Sequence, residues 1–288
     1  MLKLLVVGDL HGDFTAMHRI AAAAALSPPD LAPDAVLLTG DFVSHDAQVP
    51  AAVSEKMHRA VARAAEALWE VIEVPVLYVP GNHDRPDLWG VRGCLQSIDT
   101  LAGRQPAIVR GVRILGVGGS WRFGGFPYEW EDSEEFERQL EDTWPAADEV
   151  PEVILFHAPP ANSGVDRALS GECVGSRALF NIALRRRPKL IICGHIHEGV
   201  GPGVLDGEIP VFNAGSASVR VPPPFMMDRK QVGQLRALRV PGTFFSVHTI
   251  EPRESACHVL AVCYLGRTWL RRRLVFERKI GWRTESVV

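Results

Sequence analysis

Short apolar runs recur along the chain without the polar alternation of a half-exposed strand: Leu2–Val7, Ala35–Leu38, Pro75–Val79, Val153–Phe156 and Leu190–Cys193. Unbroken Val, Ile and Leu over such lengths predicts strands buried on both faces, as in a sheet sandwiched between helices. Helical periodicity lies between several of them. Phe14–Leu26 is one such stretch. Ala51–Ile72 is longer, with Met57, Val61, Leu68 and Ile72 at helical spacing. Ser176–Arg187 is a third, with Ser176 placed as its N-cap.

The texture changes twice. Between Ser120 and Trp130, Gly124, Gly125 and the aromatics Trp121, Phe123, Phe126, Tyr128 and Trp130 crowd together without period. This is either a structured loop beside a site or a packed surface flap, with packing the favoured reading. An acidic helix follows, with Asp132 and Glu135 placed as a capping box. From about residue 210 the pattern turns to β. Phe244–Thr249, Cys257–Tyr264 and Trp269–Phe276 read as strands, and Leu265–Thr268 as the hairpin turn between the last two. Val221–Arg239 reads as loop with a short helix. No repeat or linker divides the chain, so the expectation is one domain over 1–288 with a β-rich C-terminal part.

Composition narrows the class. The 288 residues are 47% hydrophobic and 23% charged, enough for a sizeable buried core. The net charge of -3 creates no overall basic field. The runs Arg185–Arg187 and Arg271–Arg273 read as solvated faces, which speaks against nucleic acid. The first apolar run is too short for a signal peptide or a membrane span, so no membrane association is expected. Five cysteines (Cys94, Cys173, Cys193, Cys257, Cys263) with no CxxC pair predict reduced, buried thiols in a cytoplasmic protein.

Each of the five apolar strands runs into a polar side chain able to bind metal: Asp9 and His11, Asp41, Asn82 with His83 and Asp84, His157, and His195 with His197. Loops beyond the carboxyl ends of strands converge, so these groups are expected at one edge. Gly8, Gly40, Gly81 and Gly194 precede them. There they allow a tight or left-handed turn and close approach to an ion. Any one of these motifs could be a turn glycine beside a surface polar residue; the ordered set is the signal. Imidazole, carboxylate and amide donors without thiolate suit Mn, Fe, Zn or Ni. Seven donors exceed the needs of one ion and divide between two if a carboxylate bridges.

In this order, Asp9-x-His11, Gly40-Asp41, Gly81-Asn82-His83-Asp84, His157 and Gly194-His195-Ile196-His197 resemble the calcineurin-like metallophosphoesterase superfamily over residues 2–220. His157-Ala158-Pro159-Pro160, Gly175-Ser176, and Gly194–Glu198 followed by Asn213–Ser216 look like a branch related to bacterial cyclic-nucleotide phosphodiesterases. The resemblance implies a four-layer αββα sandwich and hydrolysis of a small-molecule phosphate ester, with a nucleotide-type diester favoured. A nuclease with the same centre, or a non-catalytic scaffold, are the alternatives. It further implies one divalent metal on Asp9, His11, Asp41 and His197, and a second on Asp41, Asn82, His157 and His195. His83 would act as proton donor or phosphate-oxygen ligand.

One position departs from the family pattern. After the bridging aspartate the family often has a second acid that orients the catalytic histidine. Here the stretch is Phe42-Val43-Ser44-His45-Asp46. Asp46, Asp13 or Asp84 could serve instead, or Asp46 is a surface residue and Asp84 a helix cap. His45, close to Asp41, is the one further histidine to watch.

Overall fold

The computed structural model of the chain describes residues 1–25, 32–44, 51–85, 95–144, 152–219, 223–227, 242–250, 256–264, 269–278 and 280–285. Two large sheets face each other. The larger runs, edge to edge, β17 (Gly281–Glu285), β16 (Trp269–Glu277), β15 (Ala256–Tyr264), β14 (Gly242–Ile250), β1 (Leu2–Val7), β2 (Ala35–Leu38), β3 (Val76–Tyr78) and β4 (Leu95–Ser97), with β13 (Ser218–Val219) paired to β14. The smaller runs β11 (Gly201–Leu205), β12 (Ile209–Asn213), β10 (Leu190–Cys193), β9 (Val153–Phe156), β6 (Val112–Val117) and β5 (Ala107–Val109). A short parallel ribbon joins β7 (Ser120–Trp121) to β8 (Glu129–Trp130).

Helices cover the outer faces. Helices α1 (Phe14–Ala25) and α2 (Ala51–Ile72) pack together over the larger sheet, and α3 (Glu134–Thr143) and α4 (Arg177–Arg186) over the smaller. The core therefore has three slabs. Leu4, Val6, Leu37, Leu77, Val153, Leu155, Leu190, Ile192 and Phe244 fill the space between the sheets. Leu5, Val7, Val36 and Leu38 meet Met17, Ile20, Val61 and Leu68 on one side. Ile154, Phe156 and Ile191 meet Phe136, Leu140, Leu179 and Ile182 on the other. Successive residues of β1, β2, β9 and β10 thus alternate between two apolar slabs, which is why these strands carry no polar alternation. The mixed α/β architecture is the αββα sandwich. The five apolar strands do not share one sheet, however. Strands β1, β2 and β3 pair in parallel in the larger, and β9 and β10 in the smaller, so each sheet has helices on one face and its partner sheet on the other.

The N-terminal and C-terminal β regions are continuous. Strand β14 pairs antiparallel with β1 from Leu2↔Ile250 to Val6↔Ser246. The turn 265–268 lies outside the described residues, but its flanking strands pair antiparallel over their whole length. Strands β4, β5, β6, β11, β12 and β17 were not expected. Several contain glycine, proline or arginine, which breaks an apolar run without preventing pairing at or near a sheet edge.

The acidic helix is capped differently from the capping-box expectation. Ser133 is the N-cap, and its hydroxyl accepts from Phe136 N–H. Asp132 instead turns to α4, whose N-cap is Ser176. There its carboxylate accepts from the Ser176 hydroxyl at 2.7 Å and from the N–H groups of Arg177 and Ala178 at 2.9 and 3.0 Å. An anion at a helix N-terminus meets the positive end of the dipole and unpaired donors together. Of the Ala51–Ile72 pattern, Val61 and Leu68 are buried and Ile72 is half-buried; the Met57 side chain lies outside the described residues. In the first basic run Arg185 pairs with Glu137 and Glu141, and Arg187 with Asp206 and Glu208. Cys193, Cys257 and Cys263 are buried free thiols, whereas Cys173 is exposed, and Cys94 is outside the described residues. Among the described residues no helix is long and apolar enough to cross a membrane.

Candidate metal centre

Parallel strands of both sheets end at the same edge, and their following turns carry the donors. Asp9 follows β1 and is fully buried. One carboxylate oxygen accepts from Thr39 Oγ1 at 2.7 Å; the other accepts from His195 N–H at 2.7 Å and lies 3.2 Å from His197 Nε2. His11 Nε2 is 3.2 Å from His197 Nε2 and 3.7 Å from Asp41 Oδ2. Asp41 follows β2. Its Oδ1 accepts from His83 N–H at 3.0 Å, and its Oδ2 is 3.5 Å from His157 Nε2 and 4.0 Å from His83 Nε2. All the sequence-predicted donors are thereby brought together.

Three groups place one ligand atom from each residue within 4.8 Å of the others: Asp9, His11 and His197; Asp41, His157 and His195; and His11, Asp41 and His83. The first two are subsets of the two ligand sets implied by resemblance. The third brings His83 within ligand range as well.

Fixed tautomers and bare charges test the fit of a cation. His157 Nδ1–H donates to the Thr39 carbonyl at 2.8 Å, so its Nε2 offers a lone pair inward. That lone pair faces Asn82 Oδ1 at 3.0 Å, while Asn82 Nδ2 is buried without a hydrogen-bond partner. Two buried acceptors held this close are what a cation between them would satisfy. The carboxylates tell the same story. Burial and then the charge on Asp9 push the Asp41 carboxyl well above its ordinary range. Burial also opposes ionisation of Asp9, but the His197 hydrogen bond and the surrounding imidazoles outweigh it and hold Asp9 below the usual carboxylate range. Burial lowers His11 to about 4, and it lowers His157 and His195 as well, so these rings stay neutral and ligand-ready near pH 7. One ionised carboxylate beside one that resists ionisation, with His11, His157 and His195 held neutral and only His197 shifted up, where its hydrogen bond to Asp9 outweighs burial, is a cluster short of positive charge. The donor set fits divalent cations.

The backbone is strained where the donors sit. His11, Asp41 and His195 all have left-handed torsions, with φ of 45°, 46° and 65°. Such torsions cluster at functional sites. Of the four preceding glycines only Gly40 is left-handed, at φ 107°. Gly81 and Gly194 serve close approach instead. A Cβ on Gly81 would lie 2.0 Å from Asp41 Oδ1, and one on Gly194 would lie 2.4 Å from Asp9 Oδ1.

The acids considered for His83 are placed as follows. The Asp84 carboxylate accepts from the N–H groups of Gly81, Phe42 and Val43, at 2.8, 3.1 and 3.4 Å for the shortest of each. It ties the turn after β2 to the turn after β3, and among the described residues it caps no helix. Burial and the charge on Asp41 push it up to about 8. Asp13 takes hydrogen bonds from the hydroxyls of Thr15 and Ser218 and caps the start of α1. His45 and Asp46 lie outside the described residues.

Supporting residues were missed at three places. Thr39, buried in Thr39-Gly40-Asp41, holds both Asp9 and His157. Asn213 donates to the carbonyls of Ile196 and Val165 and accepts from Gly215 N–H, which bolts down the turn carrying His195 and His197. A polar residue ending an apolar run signals the first, and an Asn two residues before a Gly signals the second. Glu129, in the aromatic stretch, is the third.

That stretch divides. Trp130 stacks on Phe136 at 4.0 Å, and the Tyr128 hydroxyl donates to Asp99 at 2.6 Å, so these two rings pack. Trp121, Phe123 and Phe126 line a cavity of about 420 Å³ together with His11, Asp41, His83, His195 and His197.

A profile of the calcineurin-like phosphoesterase family matches residues 2–199, and the chain belongs to that family. The UPF0046 protein T07D4.2 of Caenorhabditis elegans is 40% identical over 65 residues, a stretch spanning 22% of this chain and 16% of that protein. Two solved structures share the fold. TT1561 of Thermus thermophilus superposes with a TM-score of 0.53 at 19% identity, covering 75% of this chain and 89% of its own. GAP50, the anchor in the inner membrane complex of Plasmodium, gives 0.52 at 12% identity over 100% and 89%.

Proposed function

We propose that the chain is a hydrolase of small-molecule phosphate esters, and of nucleotide-type phosphodiesters in particular, working with two divalent metal ions such as manganese. The observation that carries this reading is the convergence of seven donors from five strands and two sheets, with Asp41 common to two ligand groups. One ion would be held by Asp9, His11, Asp41 and His197, and the other by Asp41, Asn82, His157 and His195. Bound there, divalent cations supply Lewis-acid activation of water and neutralise charge on phosphoryl oxygens.

The chain's own groups do the rest. Thr39 and the His195 N–H fix the Asp9 carboxylate, and the Thr39 carbonyl fixes the His157 tautomer. His83 and His195 line the cavity where phosphoryl oxygens would lie, and His83 gives a proton to the leaving oxygen. Asp84 acts on His83 through the backbone, by pinning the turn from which it projects. Among the described residues the cavity wall carries no Lys or Arg, which favours a small ester over a nuclease substrate. Cytoplasmic residence belongs to the same proposal and rests on the free thiols.

The test is a panel of phosphomonoesters and diesters, assayed with stripped protein to which Mn, Fe, Zn, Ni or Mg is returned. Diester hydrolysis that appears only with metal is expected. No hydrolysis with any metal, or the same rate in excess chelator, would overturn the reading. The His83→Ala variant should keep its metal and lose most rate on alkyl leaving groups, roughly a hundredfold.

A further inference from the structure

The residues 121–129 carry a feature that metal chemistry does not require. The Glu129 carboxylate accepts four consecutive backbone N–H groups: Phe123 and Gly124 on Oε1 at 3.1 and 3.0 Å, and Gly125 and Phe126 on Oε2 at 2.8 and 3.0 Å. Charge-assisted bonds of this kind are about twice as strong as neutral ones. Two glycines would otherwise leave the loop loose; Gly125 is left-handed, at φ 73°, with open space where a Cβ would stand. The base of the loop is equally tied. Arg122 N–H donates to the Trp130 carbonyl at 2.8 Å, and Tyr128 N–H donates to the Asn82 carbonyl at 3.1 Å. The second bond connects the loop to the turn bearing a metal-ligand candidate.

The rings held this way face the centre. Phe126 lies 4.3 Å from His83, and Trp121 and Phe123 lie 5.2 and 5.6 Å from His195, centroid to centroid. Phe123 and Phe126 are 5.3 Å apart. Phe123 is 57% exposed although its backbone is fixed. A rigid loop that leaves an aromatic face bare toward a cavity offers a stacking surface, because folding has already met the cost of ordering it. The rest of the lining is Asp41, the imidazoles of His11, His83, His195 and His197, and Ala168, Val174 and Ile196. A cavity of about 420 Å³ has room for a phosphoryl group and one flat ring system. No described wall residue is a Lys or Arg that would pair with additional phosphates.

We propose that residues 121–129 form a preorganised aromatic shelf, held by Glu129, that selects phosphate esters bearing a flat aromatic group such as a nucleobase. This rests on the phosphoesterase reading for the position of the phosphoryl group. The shelf residues Trp121, Phe123 and Phe126 contact the aromatic group, and Glu129 is a positioning residue.

Binding rather than turnover provides the test. Phenylphosphonate, cyclohexylphosphonate and methylphosphonate are titrated calorimetrically into the manganese-loaded protein, with intrinsic tryptophan fluorescence, compared with Trp121→Phe, as a second readout. Phenylphosphonate is expected to bind at least tenfold tighter than either of the others. In Phe123→Ala that preference should fall to about two- to threefold, with bound metal unchanged by elemental analysis. In Glu129→Gln, which turns a donor toward two of the four N–H groups, the phenylphosphonate Kd should rise several-fold while the methylphosphonate Kd stays constant. Equal binding of phenyl- and methylphosphonate overturns the shelf. So does cyclohexylphosphonate binding as tightly as phenylphosphonate, or a preference that survives Phe123→Ala. Failure of hydrolysis with intact phosphonate discrimination would instead sink the catalytic reading alone.

Discussion

The larger sheet brings to the centre both carboxylates and the amide, Asp9, Asp41 and Asn82, along with His11 and His83. The smaller sheet brings His157, His195 and His197, three imidazoles and no acid. Neither half is a site. The larger sheet alone would hold two buried carboxylates, and burial first, then the charge on Asp9, pushes Asp41 up. The smaller sheet alone would hold rings with little to attract a hard cation. The difference teaches that the packing between the sheets sets the geometry of the donors. Cross-links span it: His195 N–H to Asp9, and His157 Nδ1–H to the Thr39 carbonyl.

The harshest break in this comparison removes the acid that faces both groups of imidazoles. Asp41→Asn keeps a side chain tolerant of the left-handed torsion but removes the charge. It should abolish tight binding of both ions and lower diester turnover by about a thousandfold or more. Elemental analysis of the purified variant together with product release checks this; a variant holding its full metal complement would contradict the bridging assignment.

Smaller is the effect at the slab between the sheets, where His248 of β14 is fully buried against Phe212 of β12, with Nε2 2.8 Å from Ser246 Oγ. Burial lowers its pKa to about 3. Below about pH 6.5 the unfolded chain therefore binds a proton that the folded chain refuses, and stability falls as the pH drops from there toward 3. Between pH 7 and pH 4 this one ring should cost on the order of 3 kcal/mol. Denaturant titrations of metal-stripped protein at both pH values, beside His248→Gln, read the effect. An identical pH slope in the variant would show that the ring is not its source.

The mildest change tests whether the smaller sheet's helices matter to the centre. Ser133→Ala removes the α3 cap and should cost about 1 kcal/mol, seen as a lower denaturation midpoint with metal content and turnover intact. A change in bound metal would mean that α3 reaches the site.

Much of this was legible in the chain. The strands carrying donors are unbroken apolar runs because they lie between two slabs, and each ends abruptly in a polar side chain. Their division between two sheets left no local trace, since a strand buried by helices and a sheet reads like one buried by helices alone. Asp132 misled because sequence spacing shows a carboxylate near its own helix and cannot show the N-terminus of another helix 44 residues later. Thr39 and Asn213 were hidden for a related reason: their partners are backbone groups of distant turns. The reach of Glu129 is local, but its meaning depends on a loop shape that glycine leaves undetermined.

The pairing of β1 with β14 has a consequence for synthesis. As the polypeptide emerges, the strand leading to Asp9 and His11 can find β2 after some 35 residues, yet its other flank stays a raw hydrogen-bonding margin until residues 242–250 appear. Strand β14 contributes no ligand candidate, but it closes that margin. Until it arrives, every ligand candidate has been synthesised while the sheet leading to Asp9, Asp41 and Asn82 is still open to foreign strands.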